Sequence, residues 1–122
     1  MKNEKLEKML IENGEGENYK ALEDGMKRLL RFYYLSKDEK NLSKMLVVDD
    51  IIWDNELEGF VKALKEYDVK ELVFASTWSS AINVMMYLLD NGYTTDGTIV
   101  YEEGKAIFGD KYEKKGIKLV LK

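Results

Sequence analysis

Apolar positions recur at helical spacing along much of the chain. Tyr19, Leu22, Met26, Leu29, Leu30 and Tyr33 fall on one stripe of a helix. Asn18 stands at its N-cap, and Lys20, Glu23, Lys27 and Arg31 take the wet side. A shorter helix precedes it, carrying Leu6, Met9 and Leu10 and stopped by Asn13-Gly14. Ser36-Lys37-Asp38-Glu39 has capping-box spacing and predicts a short helical turn through Leu42 and Met45. Leu57, Phe60, Val61, Leu64 and Tyr67 mark a further helix that Asp54 caps and Asp68 ends. Ser79 or Ser80 then opens a helix with Ile82, Met85, Met86 and Leu89 on one side. Ala81, Val84, Tyr87 and Leu88 widen its apolar face, which predicts a mostly buried helix ending at Asn91-Gly92.

Between these stripes the pattern changes to short β-branched runs. Leu46-Val47-Val48 opens a strand expected near residues 46–52, weakened by the twin aspartates Asp49 and Asp50. Residues 71–76 predict a buried strand. Residues 94–101 read as a strand interrupted at Gly97. Glu102-Glu103-Gly104 reads as a turn, residues 105–108 as a prolongation of the sheet, and residues 110–116 as a charged loop. Residues 117–121 form a final strand, expected antiparallel to 94–101.

Alternation of strand and helix favours a sheet with parallel pairs. The expected fold is a small single α/β domain over residues 1–122, with N-terminal helices in 1–40 and a βαβαββ core in 46–122. Its mixed sheet has about four strands and ends in a C-terminal antiparallel hairpin. Two core helices and the N-terminal helices pack it. The length of 122 residues suits one domain and is short for two.

Composition narrows the chemistry. The chain holds no histidine and no cysteine, so imidazole bases, thiolate nucleophiles and His- or Cys-based zinc sites are excluded. A net charge of −4 disfavours generic binding to nucleic acid or to an anionic membrane. No apolar run approaches a membrane span. Residues 1–8 lack the apolar core of a signal peptide, so a cytoplasmic protein is expected.

Four features invite a site. Asp49, Asp50, Asp54, Glu56 and Glu58 form an acidic run without Lys or Arg between Lys44 and Lys62. Asp49 and Asp50, joined by Glu71, would be the oxygen ligands of a Mg²⁺-dependent phosphodiesterase. The purely structural reading is a helix start that favours negative charge. Ser76, Thr77, Trp78 and Ser79 lie between a buried strand and a helix, where α/β folds often bind ligands. Hydroxyl donors and a stacking indole suit a small ligand or nucleotide, although no glycine opens the backbone to a phosphate and serines also serve as caps. Lys105, Lys111, Lys114, Lys115, Lys118 and Lys122 outweigh Asp110 and Glu113, which reads as a patch for an acidic partner or as lysines guarding a sheet edge. The tyrosines and tryptophans fit an interface or a core equally.

Ile52-Trp53, the helix of 54–67, Lys70-Glu71, the segment Phe74-Ala75-Ser76-Thr77-Trp78-Ser79-Ser80 and Gly92 together resemble an uncharacterised family of short proteins from Gram-positive mobile elements and phages. Its pattern is Ile-Trp, an acidic helix, Lys-Glu, then a strand ending in Ser-Ser-aromatic-Ser. Here Ala75 replaces the first serine, which argues against catalysis by that position. The resemblance implies a mobile-element accessory protein and no particular activity.

The sequence therefore points to a non-enzymatic interaction protein that binds and occludes a host or defence protein, and assigns no catalytic residue and no cofactor. The alternatives are a small-ligand or nucleotide-binding domain using the 76–80 loop, and the Mg²⁺-dependent phosphodiesterase. A protein partner is expected, generic nucleic-acid and membrane binding are not, and exposed strand edges with many tyrosines leave a homodimer open.

Overall fold

A computed structural model describes residues 1–122. Helix α1 (Glu4–Asn13) starts at Asn3, whose side-chain oxygen accepts from the Leu6 N–H at 3.0 Å. The long stripe from Tyr19 to Tyr33 is broken, giving a single turn α2 (Gly16–Lys20) and then α3 (Asp24–Ser36). Asn18 does not cap; its amide donates to the Glu12 carbonyl. The break frees α3 to take its own axis against α4 (Asp54–Glu66). There Gly25 meets Gly59 so closely that a Cβ on Gly25 would lie 2.2 Å from the Phe60 nitrogen.

The expected helical turn after Ser36 is absent. Ser36 is the last residue of α3, and its hydroxyl accepts from the Val47 N–H at 2.8 Å. Asn41 organises the loop by donating to the carbonyls of Ser36 and Met45.

The strands are β1 (Leu46–Val48), β2 (Glu71–Phe74), β3 (Tyr93–Lys105) and β4 (Lys111–Leu121), with α5 (Ala81–Asp90) between β2 and β3. They form a mixed sheet of order β1-β2-β4-β3. β1 and β2 are parallel, and β4 is antiparallel to both β2 and β3. The domain is a small α/β fold with a C-terminal antiparallel hairpin. β1 stops at Val48, short of the expected 52, because the polar pair Asp49-Asp50 leaves the ladder.

One face of the sheet carries Leu46, Val48, Leu72, Phe74 and Leu119. It shares a core with Leu6 of α1, Leu29, Leu30, Phe32 and Tyr33 of α3, Phe60 and Leu64 of α4, and Val84 and Leu88 of α5. The N-terminal helices and the strands thus bury one continuous apolar cluster.

The other face is covered by the hairpin itself. β3 and β4 run well past the end of β2, through the expected 102–104 turn and the expected 110–116 loop. Register shifts between Thr95 and Thr98 and between Val100 and Glu102, with Gly97 at φ 74°, bend this arm. It curls back until Tyr101 packs on Val47 and Val73. Gly116 sits at the tightest point, where a Cβ would lie 2.6 Å from Val73 Cγ1. The real turn is 106–110, with the Gly109 N–H bonded to the Ala106 carbonyl at 2.9 Å. Polar alternation on both faces of the arm hid its strands from a hydrophobic-pattern reading.

Helix α5 departs most from expectation. Only Val84 and Leu88 are buried, while Ile82, Met86 and Leu89 are exposed. No helix is long and apolar enough to cross a membrane.

Candidate interaction edge

Because β1 and β2 are parallel, their carboxyl ends lie at one edge of the sheet, and the loops 49–53 and 75–80 both leave from it. That edge is where open α/β sheets place ligands. It brings together Asp49, Asp50 and Trp53 from the first loop with Ser76, Thr77, Trp78 and Ser79 from the second. Trp53 is 56% exposed and Trp78 53%, which is high for the largest apolar side chains of the chain.

The exposure of Trp53 follows from its neighbours. Ile52 is 2% exposed and fills the core, so the next side chain is turned outward. The Trp53 N–H donates to Glu56 Oε1 at 2.9 Å, fixing the start of α4. The same carboxylate accepts from Arg28 Nε and Nη2, both at 3.2 Å, in a nearly buried pair that ties the edge to α3. Glu56 is therefore structural, whereas Asp54 and Glu58 of the acidic run are exposed.

Asp50 is committed locally, its carboxylate accepting from the Ile51 N–H at 2.7 Å. Asp49 faces the curled arm. Desolvation there raises its carboxyl above the usual aspartate value, its own backbone N–H and Lys114 act against the shift, and Asp50 and Glu102 add to it. Tyr101 beside it is likewise pushed up, by burial first and by the Asp49 charge second. Lys114 is held to Glu102 at 3.2 Å.

In the second loop the Ala75 N–H extends the ladder by bonding to the Val48 carbonyl at 2.8 Å. The Ala81 N–H then turns back to the Trp78 carbonyl. Ser80 occupies the N-cap of α5 without a side-chain capping bond, and Thr77 and Ser79 are exposed. Capping therefore does not account for the serine run. Two troughs lie elsewhere: about 600 Å³ along the arm, lined by Glu103, Lys105, Lys111, Tyr112 and Glu113, and about 500 Å³ between α1 and α3.

The three carboxylates of the metal reading are not gathered. Glu71 opens β2, one residue before the Leu72–Leu46 pair, whereas Asp49 and Asp50 follow Val48 at the far end of the same parallel pair. Glu71 faces Lys118 at 3.9 Å, and no three acidic side chains lie close enough to hold a metal ion. The lysines do not converge either. Lys114 and Lys118 are ion-paired, Lys118 with Glu71 and Asp96, and Lys105 and Lys111 oppose each other at the base of the arm's turn.

Two apolar features escape the sequence reading. The turn exposes Ile107 and Phe108 almost completely, and α5 exposes Ile82, Met86 and Leu89. The first gives no periodic signal. The second gives the same signal as a buried face.

The chain belongs to the family described as Domain of unknown function (DUF7698), whose model matches residues 28–121, from within α3 to the end of β4. No curated protein and no solved structure matches it.

Proposed function

We propose that this family member is a non-enzymatic interaction protein whose acidic, tryptophan-bearing edge covers a cationic site on another protein. The carrying observation is the pair Trp53 and Trp78, both more than half exposed on adjacent loops and set beside the exposed Asp49 and Asp54. Exposed tryptophans are the residues that most often anchor an interface. Surrounding carboxylates steer a cationic partner and add specificity more than affinity. The absence of histidine and cysteine and the scattered carboxylates favour contact over turnover.

The resemblance of Ile52-Trp53 and the 74–80 segment to short proteins of Gram-positive mobile elements and phages supports an accessory role in such an element. The partner in that setting is a host or defence protein acting in the cytoplasm, and the mechanism is occlusion of its nucleic-acid-binding or other basic surface.

One observation favours a second reading. The uncapped start of α5 with exposed Thr77 and Ser79 offers free donors to a small anionic ligand or nucleotide. A thermal-shift screen with nucleotides and divalent metals separates the two. The interaction reading expects no stabilisation by either and co-purification of a basic protein. Stabilisation by a nucleotide, lost in Ser79→Ala and Trp78→Ala, would replace it with the ligand reading.

A further inference from the structure

Helix α5 is apolar around most of its circumference. At about 100° per residue, Val84 and Leu88 define the core side, Ala81, Met85 and Tyr87 flank it half-buried, and only Asn83 and Asp90 form a polar sector. Between the core and that sector lie Ile82, Met86 and Leu89, exposed by 73%, 51% and 41%. They stand at spacings of four and three residues, so the stripe is nearly symmetric about Met86.

The charges of α5 are placed against its own dipole. Asp90 closes the C-terminal turn, where no basic residue is present, and the first turn has no acidic residue and no side-chain cap. Both ends therefore lack the partner that the helix macrodipole favours.

We propose that this stripe is the contact face for a second copy of the chain, with two α5 helices packed antiparallel about a two-fold axis at Met86. The arrangement sets Met86 against the same residue of the other copy and Ile82 against its Leu89. It also brings each Asp90 to the uncapped start of the facing α5, so the misplaced carboxylates and free N–H groups complement each other. A two-fold contact of this isologous kind is the commonest way for identical chains to associate. The exposed apolar area is on the order of 400 Å² per copy, the size of a functional patch and below that of a permanent interface. The dimer is accordingly weak and concentration-dependent. It leaves Trp53 outside the contact but reaches the start of α5, where the Ala81 N–H bonds to the Trp78 carbonyl, so it neighbours one of the two tryptophans of the function proposed above.

The chain has no cysteine, which makes the test clean. Met86→Cys, alone, should give a disulfide-linked dimer under mild oxidation at least tenfold faster than Asn83→Cys on the polar sector. An equimolar mixture of Ile82→Cys and Leu89→Cys should cross-link between the two variants in preference to within either. Sedimentation equilibrium of the unmodified chain should show a monomer–dimer exchange whose dissociation constant rises at least tenfold in Met86→Glu. Equal cross-linking rates for Met86→Cys and Asn83→Cys, or a monomer at every concentration in a chain with unchanged circular dichroism, would overturn the proposal. Preferential linkage within Ile82→Cys would overturn the antiparallel register.

Discussion

The Leu42 N–H donates to the Tyr101 carbonyl at 2.9 Å, and through this bond the loop before β1 meets the curled arm of β3. These segments flank opposite edges of the sheet, so the bond marks where the curled sheet comes back on itself over Val47 and Val73. Asp49 lies beside that closure, near Tyr101 and Glu102, which partly desolvates its carboxyl while leaving the residue exposed next to the candidate edge.

The closure depends on the absence of a side chain at Gly116. A Cβ there would meet Val73 Cγ1 at 2.6 Å and the Phe74 carbonyl oxygen at 2.9 Å, both in the fixed strand β2. Gly116→Ala should cost about 2–3 kcal/mol through overpacking. Urea unfolding followed by circular dichroism measures it. Gly97→Ala, with open space around its Cβ and only the positive φ to strain it, should cost less.

Arg28 and Glu56 form the most buried ion pair, with side chains 15% and 12% exposed. Removing one partner leaves a charge without compensation, so Arg28→Ala should cost about 3 kcal/mol. Arg28→Lys keeps the charge but loses the fork and should fall between the two proteins. Because Glu56 also holds the Trp53 N–H, Arg28→Ala should broaden the Trp53 indole resonance in a nitrogen–proton spectrum before global unfolding.

Acid should remove the contribution of Glu7. Its carboxylate accepts from Lys37 at 2.8 Å and from the Tyr33 hydroxyl at 2.6 Å, and Lys37 first and Tyr33 second hold its pKa below the ordinary 4.5. A depressed carboxyl stabilises the fold above its unfolded pKa and loses that effect as pH falls through the folded one. The chain should therefore melt higher than Glu7→Gln at pH 7, and the difference should shrink steadily below about pH 4.5. Asp49 has the opposite sign: its raised pKa means that the charged form opposes folding. Asp49→Asn should melt higher than the native chain at pH 7 and match it in acid.

The two tryptophans of the chain, Trp53 and Trp78, are both exposed. Their fluorescence should resemble that of tryptophan in water. Nearby carboxylates should make caesium a better quencher than iodide. Blue-shifted emission with equal quenching would place them in a neutral, covered setting instead.

Much of the architecture was legible in the hydrophobic pattern, because the stripes of α1 and α4 and the β-branched runs of β1 and β2 face one core. The break before α3 was not, since it answers to the Gly25–Gly59 crossing between distant segments. The arm was not, since Glu102 opposite Lys114 and Gly104 opposite Tyr112 carry no apolar alternation. The exposure of α5 was not, because an apolar stripe reads alike whether the chain's own core or another molecule covers it. The 76–79 loop could be placed at a strand end from sequence. The separation of Glu71 from Asp49 and Asp50 required the parallel register of β1 and β2.

If Trp53 and Trp78 anchor another protein to the acidic edge, removing both indoles should release it. Affinity capture from the native host's lysate, run in parallel with the native chain and with a Trp53→Ala, Trp78→Ala variant of equal thermal stability, tests it most directly. A basic protein should be retained by the native chain and lost from the variant, with retention falling as salt rises. The same proteins on both baits, or on neither, would contradict it.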